Sequence, residues 1–134
     1  MLNSSNCRSN CPINFVLEAF GDRWTLLIVR DLMFKGKSRY GEFLESDEGI
    51  STNILAERLQ RLEENGIISK NIAEDRRSAI YRLTDKGKDL LPIMLEITAW
   101  SAKHDPETNT PRDFLSKLRK FRQELVASIL SKLD

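Results

Sequence analysis

The stretch from Gly49 to Leu83 constrains the fold of this chain most strongly, because a helix pattern, a helix stop and two β-prone runs follow one another there. Ser51 stands where its hydroxyl can accept a hydrogen bond from an unpaired backbone N–H of a first helical turn. Three leucines then recur at helical spacing on one apolar face: Leu55, Leu59 and Leu62. Asn65 and Gly66 predict left-handed backbone at the end of this helix.

Two β-prone runs follow, Ile67–Ala73 and Ile80–Leu83, and the charged turn between them contains Arg76 and Arg77. A helix with a polar N-terminus, followed by a hairpin with a basic tip, is typical of a winged helix-turn-helix. One element enters the major groove of DNA and the other contacts the backbone.

The residues before this stretch predict three helices. Pro12 suits the first turn of a short helix, and Asp22 can cap the next one. The segment from Trp24 to Phe34 is too densely apolar for a surface helix and is predicted to be the central core helix. Ser38 can cap a short helix over Arg39–Leu44, which completes the helix-turn-helix pattern with the helix after Ser51.

After the hairpin, a helix is predicted from Asp85 to Lys103, with a kink or restart at Pro92. Residues 105–111 form a linker, and a single last helix is expected over Arg112–Leu133. Its apolar residues recur at spacings of three and four: Phe114, Leu118, Phe121, Leu125, Ile129 and Leu133. This seam must pack either on its own domain or on the same helix of a second chain.

Composition narrows the class of protein. With 134 residues, 40% hydrophobic and 31% charged, the chain suits a single globular domain that folds without metal or disulfide support. The sequence has neither an apolar run of membrane-span length nor a signal-peptide pattern, so we expect a cytoplasmic protein with no membrane partner. The net charge is only +1, and residues 35–83 contain nine Lys or Arg against nine Asp or Glu. DNA binding would therefore rest on uneven placement of charge.

The exposed face of the helix after Ser51 supplies the candidate base contacts. Three of them are the first polar residues of the helix, and the other two lie one turn and two turns further along: Ser51, Thr52, Asn53, Ala56 and Gln60. Asn and Gln can pair with adenine through two hydrogen bonds, and Ala can contact a thymine methyl group. The alternative is an ordinary solvated helix face.

Arginines supply the candidate backbone contacts. Arg76 and Arg77 would contact phosphates or enter the minor groove, although arginines are common at the tip of any hairpin. Arg39 would contact a phosphate beside the exposed N–H groups at the start of its helix.

The two cysteines, Cys7 and Cys11, are expected to be reduced by default. Cys11 precedes Pro12 at a helix start, where the helix dipole favours the reactive thiolate, so it is the candidate redox sensor, with Cys7 as a candidate resolving partner. The alternative for Cys11 is a small apolar residue packed at an interface. With one histidine, His104, far along the chain, no metal-ligand spacing and no catalytic motif occur, so neither a cofactor nor an enzyme is expected.

The chain resembles the HxlR-type winged helix-turn-helix transcriptional regulators, which are relatives of the MarR group. Six segments, between about residues 11 and 104, carry the resemblance: Cys11-Pro12, Gly21–Trp24 with Leu26–Ile28, Arg39–Phe43, Gly49–Ser51, Leu62–Gly66, and Tyr81–Thr84 with Gly87. The resemblance implies a homodimer that binds a near-palindromic operator, with helices from both chain ends in the dimer interface. It also implies that some members sense oxidants or electrophiles through the cysteine before the proline. The hairpin turn lacks the proline often found in the family, and the helix after Pro111 extends beyond the usual family end.

The sequence thus predicts a mainly α fold with a small β-hairpin. Residues 1–10 form a flexible arm, 11–104 the winged helix-turn-helix, 105–111 a linker, and 112–134 a helix for dimerisation. The predicted function is a dimeric, sequence-specific repressor whose two recognition helices enter successive major grooves about 34 Å apart. A small apolar effector could bind in a dimer cleft. The alternative is a winged-helix module that binds protein instead of specific DNA.

Overall fold

A computed structural model of the protein describes residues 8–71 and 78–133. The chain forms two compact units, one ending at Gly87 and the other beginning at Lys88. The first unit contains a helix-turn-helix and a β-hairpin, and the second is helical. The elements in chain order are α1 Pro12–Phe20, α2 Thr25–Phe34, α3 Tyr40–Leu44, α4 Thr52–Glu64, β1 Ile68–Lys70, β2 Tyr81–Leu83, α5 Asp85–Lys88, α6 Leu91–His104, α7 Arg112–Lys120 and α8 Arg122–Ser131.

Local hydrogen bonds explain where most of the predicted helices begin and end. Pro12 occupies the first turn of α1, as expected. Asp22 caps α2, because its Oδ2 accepts hydrogen bonds from the backbone N–H groups of Trp24 and Thr25 at 3.1 and 3.3 Å. Ser51 caps α4 by accepting a hydrogen bond from the N–H of Ile54. These three sequence predictions agree with the structure.

The start of α3 differs from the prediction. Ser38 does not cap this helix through its hydroxyl. Instead the carboxylate of Glu42 reaches back and accepts hydrogen bonds from the backbone N–H groups of Ser38 and Arg39, both at 3.0 Å. These bonds lower the pKa of Glu42. A carboxylate in the first turn satisfies two N–H groups and also opposes the positive end of the helix dipole, so it replaces a hydroxyl cap effectively.

The β-hairpin follows α4 directly. At the end of α4, Gly66 adopts the left-handed conformation, with φ of 75°, whereas Asn65 does not. Strands β1 and β2 are antiparallel, with Ile68 opposite Leu83. Both begin one residue later than predicted, and the last two residues of the first predicted run, 72 and 73, lie outside the described residues. A bridge between Arg39 and Ile80 joins the start of α3 to the same sheet.

The core of the first unit lies between α2, α4 and the hairpin. Its largest fully buried side chains are contributed by all of these elements and by α3: Val29, Phe43, Leu55, Leu62 and Ile68. The three leucines predicted on one face of α4 are each at most 2% exposed. Burying such side chains contributes about 1.5–3 kcal/mol each, so this face of α4 is held firmly against the domain.

In the second unit, Pro92 lies in the first turn of α6, so the predicted helix restarts there after α5. The predicted single helix over Arg112–Leu133 is wrong. It is divided into α7 and α8 at Phe121, whose φ of −134° and ψ of 48° are not helical. The side chain of Phe121 is 55% exposed, so the seam that predicted one helix is interrupted at its middle.

Like charge gives a physical reason for this break. Arg119 and Arg122 are spaced three residues apart, where like charges repel across a continuous helix, and the break at Phe121 lies between them. Ending α7 at Lys120 also places Lys117, Arg119 and Lys120 in its last turn, beside the negative end of the helix dipole.

Residues 8–71 and 78–133 contain neither a candidate membrane span nor a candidate metal site. No helix in this part of the chain has both the length and the apolar character needed to span a bilayer. Within the same residues, no cluster of His, Cys, Asp and Glu could hold a metal ion.

Candidate nucleic-acid interface

The first turn of α4 forms the candidate base-contacting surface. Ser51, Thr52 and Asn53 are exposed, while the leucines one turn and more further on are buried. The helix therefore presents a polar N-terminal end and hides its apolar face. Such an end, with oriented N–H groups and short polar side chains, is suited to contact with bases and phosphates.

The helix before it, α3, is fixed to this turn by one hydrogen bond. The hydroxyl of Tyr40 donates to the backbone carbonyl of Thr52 at 2.7 Å. Because the acceptor is a backbone atom, this bond holds the position of the first turn of α4 whatever side chain residue 52 carries. The two helices of the helix-turn-helix are thereby joined at the end that carries the candidate contacts.

An ion pair anchors the flank of α4. Nε of Arg58 donates to Oδ2 of Asp22 at 2.7 Å, and both side chains are 20% exposed. The hydroxyl of the fully buried Thr25 donates to the other carboxylate oxygen at 2.5 Å. Asp22 therefore links the start of α2 to the middle of α4.

The environment of Asp22 keeps it ionised. Burial alone would raise the pKa of this carboxyl. Hydrogen bonds from Thr25, Arg58 and the N–H of Trp24, together with the positive charge of Arg58, outweigh burial and lower the pKa to about 2. The same hydrogen bond raises the pKa of Arg58. At neutral pH both partners are charged, so the anchor is an ion pair with several additional donors.

A second anchor lies on the turn between α3 and α4. Asp31 is 2% exposed and accepts hydrogen bonds from the guanidinium of Arg30, at 2.8 Å, and from the hydroxyl of Ser46, at 2.5 Å. Arg30 also donates two hydrogen bonds to the carboxylate of Glu48, at 2.7 and 2.9 Å. The central helix α2 thus holds the turn that leads into α4.

The structure brings some of the predicted contact residues together and not others. Ser51, Thr52 and Asn53 form one exposed turn. Ala56 is half-buried, and the amide of Gln60 donates to the carboxylate of Glu64 at 3.1 Å, so both are less available than the first turn.

The predicted backbone contacts are described only in part. Arg39 is exposed at the start of α3, but the N–H groups beside it are already bonded to Glu42, so its contribution to phosphate binding would come from its guanidinium. Arg76 and Arg77 lie outside the described residues.

Sequence reasoning missed the residues that position α4. It identified Asp22 as a helix cap but not as the partner of Arg58. It predicted that Tyr40 faces inward but not its bond to Thr52, and it gave Asp31 no role. A partial signal was present for Arg58, because it adjoins Leu59 and follows Leu55 by three residues, at the edge of the buried face of α4. A cation at that edge needs a carboxylate on the neighbouring helix.

The candidate sensor, Cys11, is a free and exposed residue directly before α1. Within the described residues, its thiol is therefore accessible to a reagent in solution. Cys7 lies outside the described residues.

Comparisons with known proteins identify the family. A model of the HxlR-like helix-turn-helix family matches residues 19–109. Among curated proteins, the chain is 35% identical over 86 residues to the uncharacterized HTH-type transcriptional regulator sll1512 of Synechocystis, a match that covers 63% of each protein. It is 38% identical over 93 residues to the HTH-type transcriptional regulator YodB of Bacillus subtilis, covering 68% of this chain and 82% of YodB.

Solved structures agree. The putative transcription factor PA1607 has a TM-score of 0.67 at 40% identity and covers 78% of this chain and 74% of PA1607. The reduced form of YodB has a TM-score of 0.59 at 33% identity, covering 75% of this chain and all of YodB. The redox regulator HypR in its oxidized form has a TM-score of 0.60 at 30% identity, covering 69% of this chain and 96% of HypR.

These findings agree with the architecture described above, in which an anchored helix follows a short helix and precedes a hairpin. They also agree with the expectation that the chain is no enzyme, because the family consists of regulators. The chain belongs to the HxlR-like helix-turn-helix family of transcriptional regulators.

Proposed function

We propose that this protein is a homodimeric, sequence-specific transcriptional repressor that binds a near-palindromic operator and responds to thiol-reactive oxidants. The observation that carries the proposal is the exposed first turn of α4, Ser51 to Asn53, on a helix whose opposite face is buried. Two such turns in a dimer would enter successive major grooves about 34 Å apart. Binding to chromosomal DNA requires the cytoplasmic location expected from the sequence.

Asn53 is the residue that we assign to base recognition, with Ser51, Thr52, Ala56 and Gln60 around it. Its amide can donate to and accept from adenine at once, a pairing worth about 1–3 kcal/mol of discrimination. Arg39, Arg76 and Arg77 complete the proposal as phosphate contacts, which position the protein without distinguishing sequences.

The test is a binding titration with a duplex that the wild-type protein selects from a random-sequence library, and with a scrambled duplex of the same composition. Asn53→Ala should weaken binding to the selected duplex by about five- to 150-fold for each half-site and leave binding to the scrambled one unchanged. Asn109→Ala, at an exposed residue of the loop between α6 and α7, is the matched control. Equal losses on both duplexes would contradict base recognition by Asn53.

The dimer is supported by exposed apolar helix faces. On α1, Ile13 is 71% exposed and Leu17 51%, and on α6, Ile97 is 44% exposed and Trp100 67%. Large apolar side chains that remain exposed along a helix are typical of surfaces that bind another protein chain. Family membership favours a second copy of this chain as the occupant of these faces.

Redox sensing is supported by Cys11 and by two structural relatives. YodB has been solved in a reduced, a quinone-bound and a diamide-treated form, and HypR is called a redox regulator. In this chain, Cys11 is exposed at a helix start. Two thiols that form a disulfide lose two electrons and two protons, which diamide can accept, and Cys7 or Cys11 of a second chain would supply the other thiol.

The experiment measures how much of the wild-type protein and of each cysteine variant is released from the selected duplex when diamide is added. The wild-type protein should dissociate and recover after addition of a thiol reductant, and Cys11→Ser should stay bound. Cys7→Ser distinguishes the two pairings, because it should respond like Cys11→Ser only if Cys7 is the second thiol. Dissociation of Cys11→Ser by diamide would contradict the assignment of the sensor.

A titration of a generic duplex at several salt concentrations tests the alternative that the protein binds only another protein. A DNA-binding protein loses affinity for a generic duplex steeply as salt rises, because phosphate contacts release counterions. A module that binds only protein should show no such dependence.

A further inference from the structure

The positive charge of this protein is concentrated outside the segment that matches the family. Residues 19–109 contain fourteen Lys or Arg against sixteen Asp or Glu, so the matched segment has a net charge of −2. Residues 112–122 contain five Lys or Arg against one Asp, a net charge of +4. Affinity for DNA depends largely on cations that neutralise phosphates, and in the matched segment acidic residues outnumber the cations.

These five cations form what we call the basic segment: Arg112, Lys117, Arg119, Lys120 and Arg122. All five are exposed. The apolar residues of α7 lie on its other side, where Leu118 is 2% exposed and Phe114 and Leu115 are half-buried. The helix is therefore amphipathic, with one face packed within its unit and the other a cationic face in solvent.

Two of the cations are available for a partner. Arg122 pairs with Glu96 at 2.5 Å, and Lys117 with Asp113 at 3.5 Å. Arg119 and Lys120 form no ion pair with any residue that the structure describes. Adjacent, exposed and unneutralised cations create a local positive potential that attracts a polyanion.

A purely structural role explains only part of this arrangement. Cations in the last turn of α7 interact favourably with its dipole, by about 0.3–1 kcal/mol each at an exposed surface. Arg122 lies beyond that turn, after the break at Phe121, and Arg112 lies at the opposite end of α7, where a cation is unfavourable. The dipole therefore does not account for the whole segment.

We propose that the basic segment binds the phosphate backbone of double-stranded DNA and adds sequence-independent affinity to that of the phosphate contacts proposed in the matched segment. The inference rests on the proposed function, because it assumes that the protein binds DNA. DNA is favoured over an acidic protein because the chain belongs to a family of helix-turn-helix regulators, and the polyanion that such regulators bind is duplex DNA.

The test compares Arg119→Gln/Lys120→Gln with the wild-type protein on a generic duplex over a salt series. Glutamine retains the helix propensity of α7 and removes two charges. Lys103→Gln/Lys132→Gln is the matched control, since both lysines are exposed and lie outside the basic segment. Loss of two phosphate contacts per protomer, which is four per dimer, should reduce the slope of log affinity against log salt by about 3.6. The ratio of wild-type to variant affinity should then fall by about 100-fold between 50 and 200 mM salt, on the order expected for four contacts.

Each outcome separates this inference from the proposed function. A lower slope for the variant, with the control like wild type and thermal midpoints equal, supports the basic segment as a DNA contact. Salt-sensitive binding that is the same in variant and wild type overturns the inference and leaves the proposed function standing. If the variant keeps the wild-type slope on the duplex but loses binding to polyglutamate, titrated in parallel, the segment belongs to an acidic protein partner. A wild-type protein that binds no duplex overturns both proposals.

Discussion

The carboxylate of Asp22 serves two helices at once. Oδ2 accepts hydrogen bonds from the first N–H groups of α2 and from the guanidinium of Arg58 on α4, while Oδ1 accepts from the buried hydroxyl of Thr25. Sequence pattern predicted the cap, because a cap needs only local spacing. It could not predict the ion pair, because Arg58 is 36 residues away and the pairing depends on how two helices pack.

The depressed pKa of Asp22 predicts a pH effect on stability. The folded pKa of about 2 lies below the ordinary value of 3.8, so the stabilisation is present above about pH 4 and is lost as the pH falls through about 2. Partial exposure of both side chains reduces the effect to about 1 kcal/mol. Asp22→Asn should lower the free energy of unfolding by that amount at pH 7 and match the wild type near pH 2, as measured by urea denaturation at each pH.

Asp47→Asn is the control for this experiment, because Asp47 is exposed and forms no ion pair with a described residue. Its stability profile should follow the wild-type curve. Parallel curves for Asp22→Asn and wild type over the whole range would show that the carboxylate does not stabilise the fold through its charge.

At the scale of elements, sequence predicted well where local rules decide. The cap at Ser51, the leucine face of α4 and the restart at Pro92 each follow from a few neighbouring residues. The break at Phe121 was missed, because no Gly or Pro marks it and the apolar spacing continues through it. There the like charges of Arg119 and Arg122 and the burial of Leu118 and Leu125 outweigh the continuous apolar seam, and Phe121 is left exposed.

The contact of α5 with the turn after α4 gives a second prediction. A Cβ added at Gly87 would lie 2.2 Å from the carbonyl oxygen of Ile67 and 3.0 Å from Leu83, so the backbone would have to move. Gly87→Ala should therefore destabilise the protein by about 1–3 kcal/mol, measured as a shift in the urea midpoint.

Gly41→Ala is the matched comparison for this prediction. Nothing lies within 4 Å of a Cβ at Gly41, which is in α3, so this variant should be neutral or more stable by up to about 1 kcal/mol. If both variants had the same midpoint, close approach of α5 to the turn would not be a constraint on residue 87.

At the scale of the whole molecule, each unit exposes an apolar helix face, on α1 in the first and on α6 in the second. A monomer in water would leave these faces solvated, at a cost of about 25 cal/mol for each Å² that a partner could cover. Sequence predicted dimerisation through resemblance to the family, whereas the exposed side chains identify which residues are available for it.

Ile13→Glu/Leu17→Glu should convert the proposed dimer to a monomer. The two residues lie four apart on α1 and are 71% and 51% exposed, so charge at these positions should leave the fold intact. Sedimentation velocity should show the wild type at twice the 15.4 kDa chain mass and the variant at the chain mass. Ser69→Glu/Asn109→Glu, at exposed positions outside α1, α6 and residues 112–134, should remain a dimer, and a wild-type monomer would refute the proposal directly.

The way in which α4 is held bears on how proteins of this kind diverge. Its buried leucines, the ion pair at Arg58 and the backbone bond at Thr52 fix the helix without using the side chains of Thr52 and Asn53. Mutations at these two positions can therefore accumulate with little penalty in stability. After gene duplication, a copy of such a protein can acquire a new target sequence through substitutions at a few exposed positions, while selection for a stable fold stays the same.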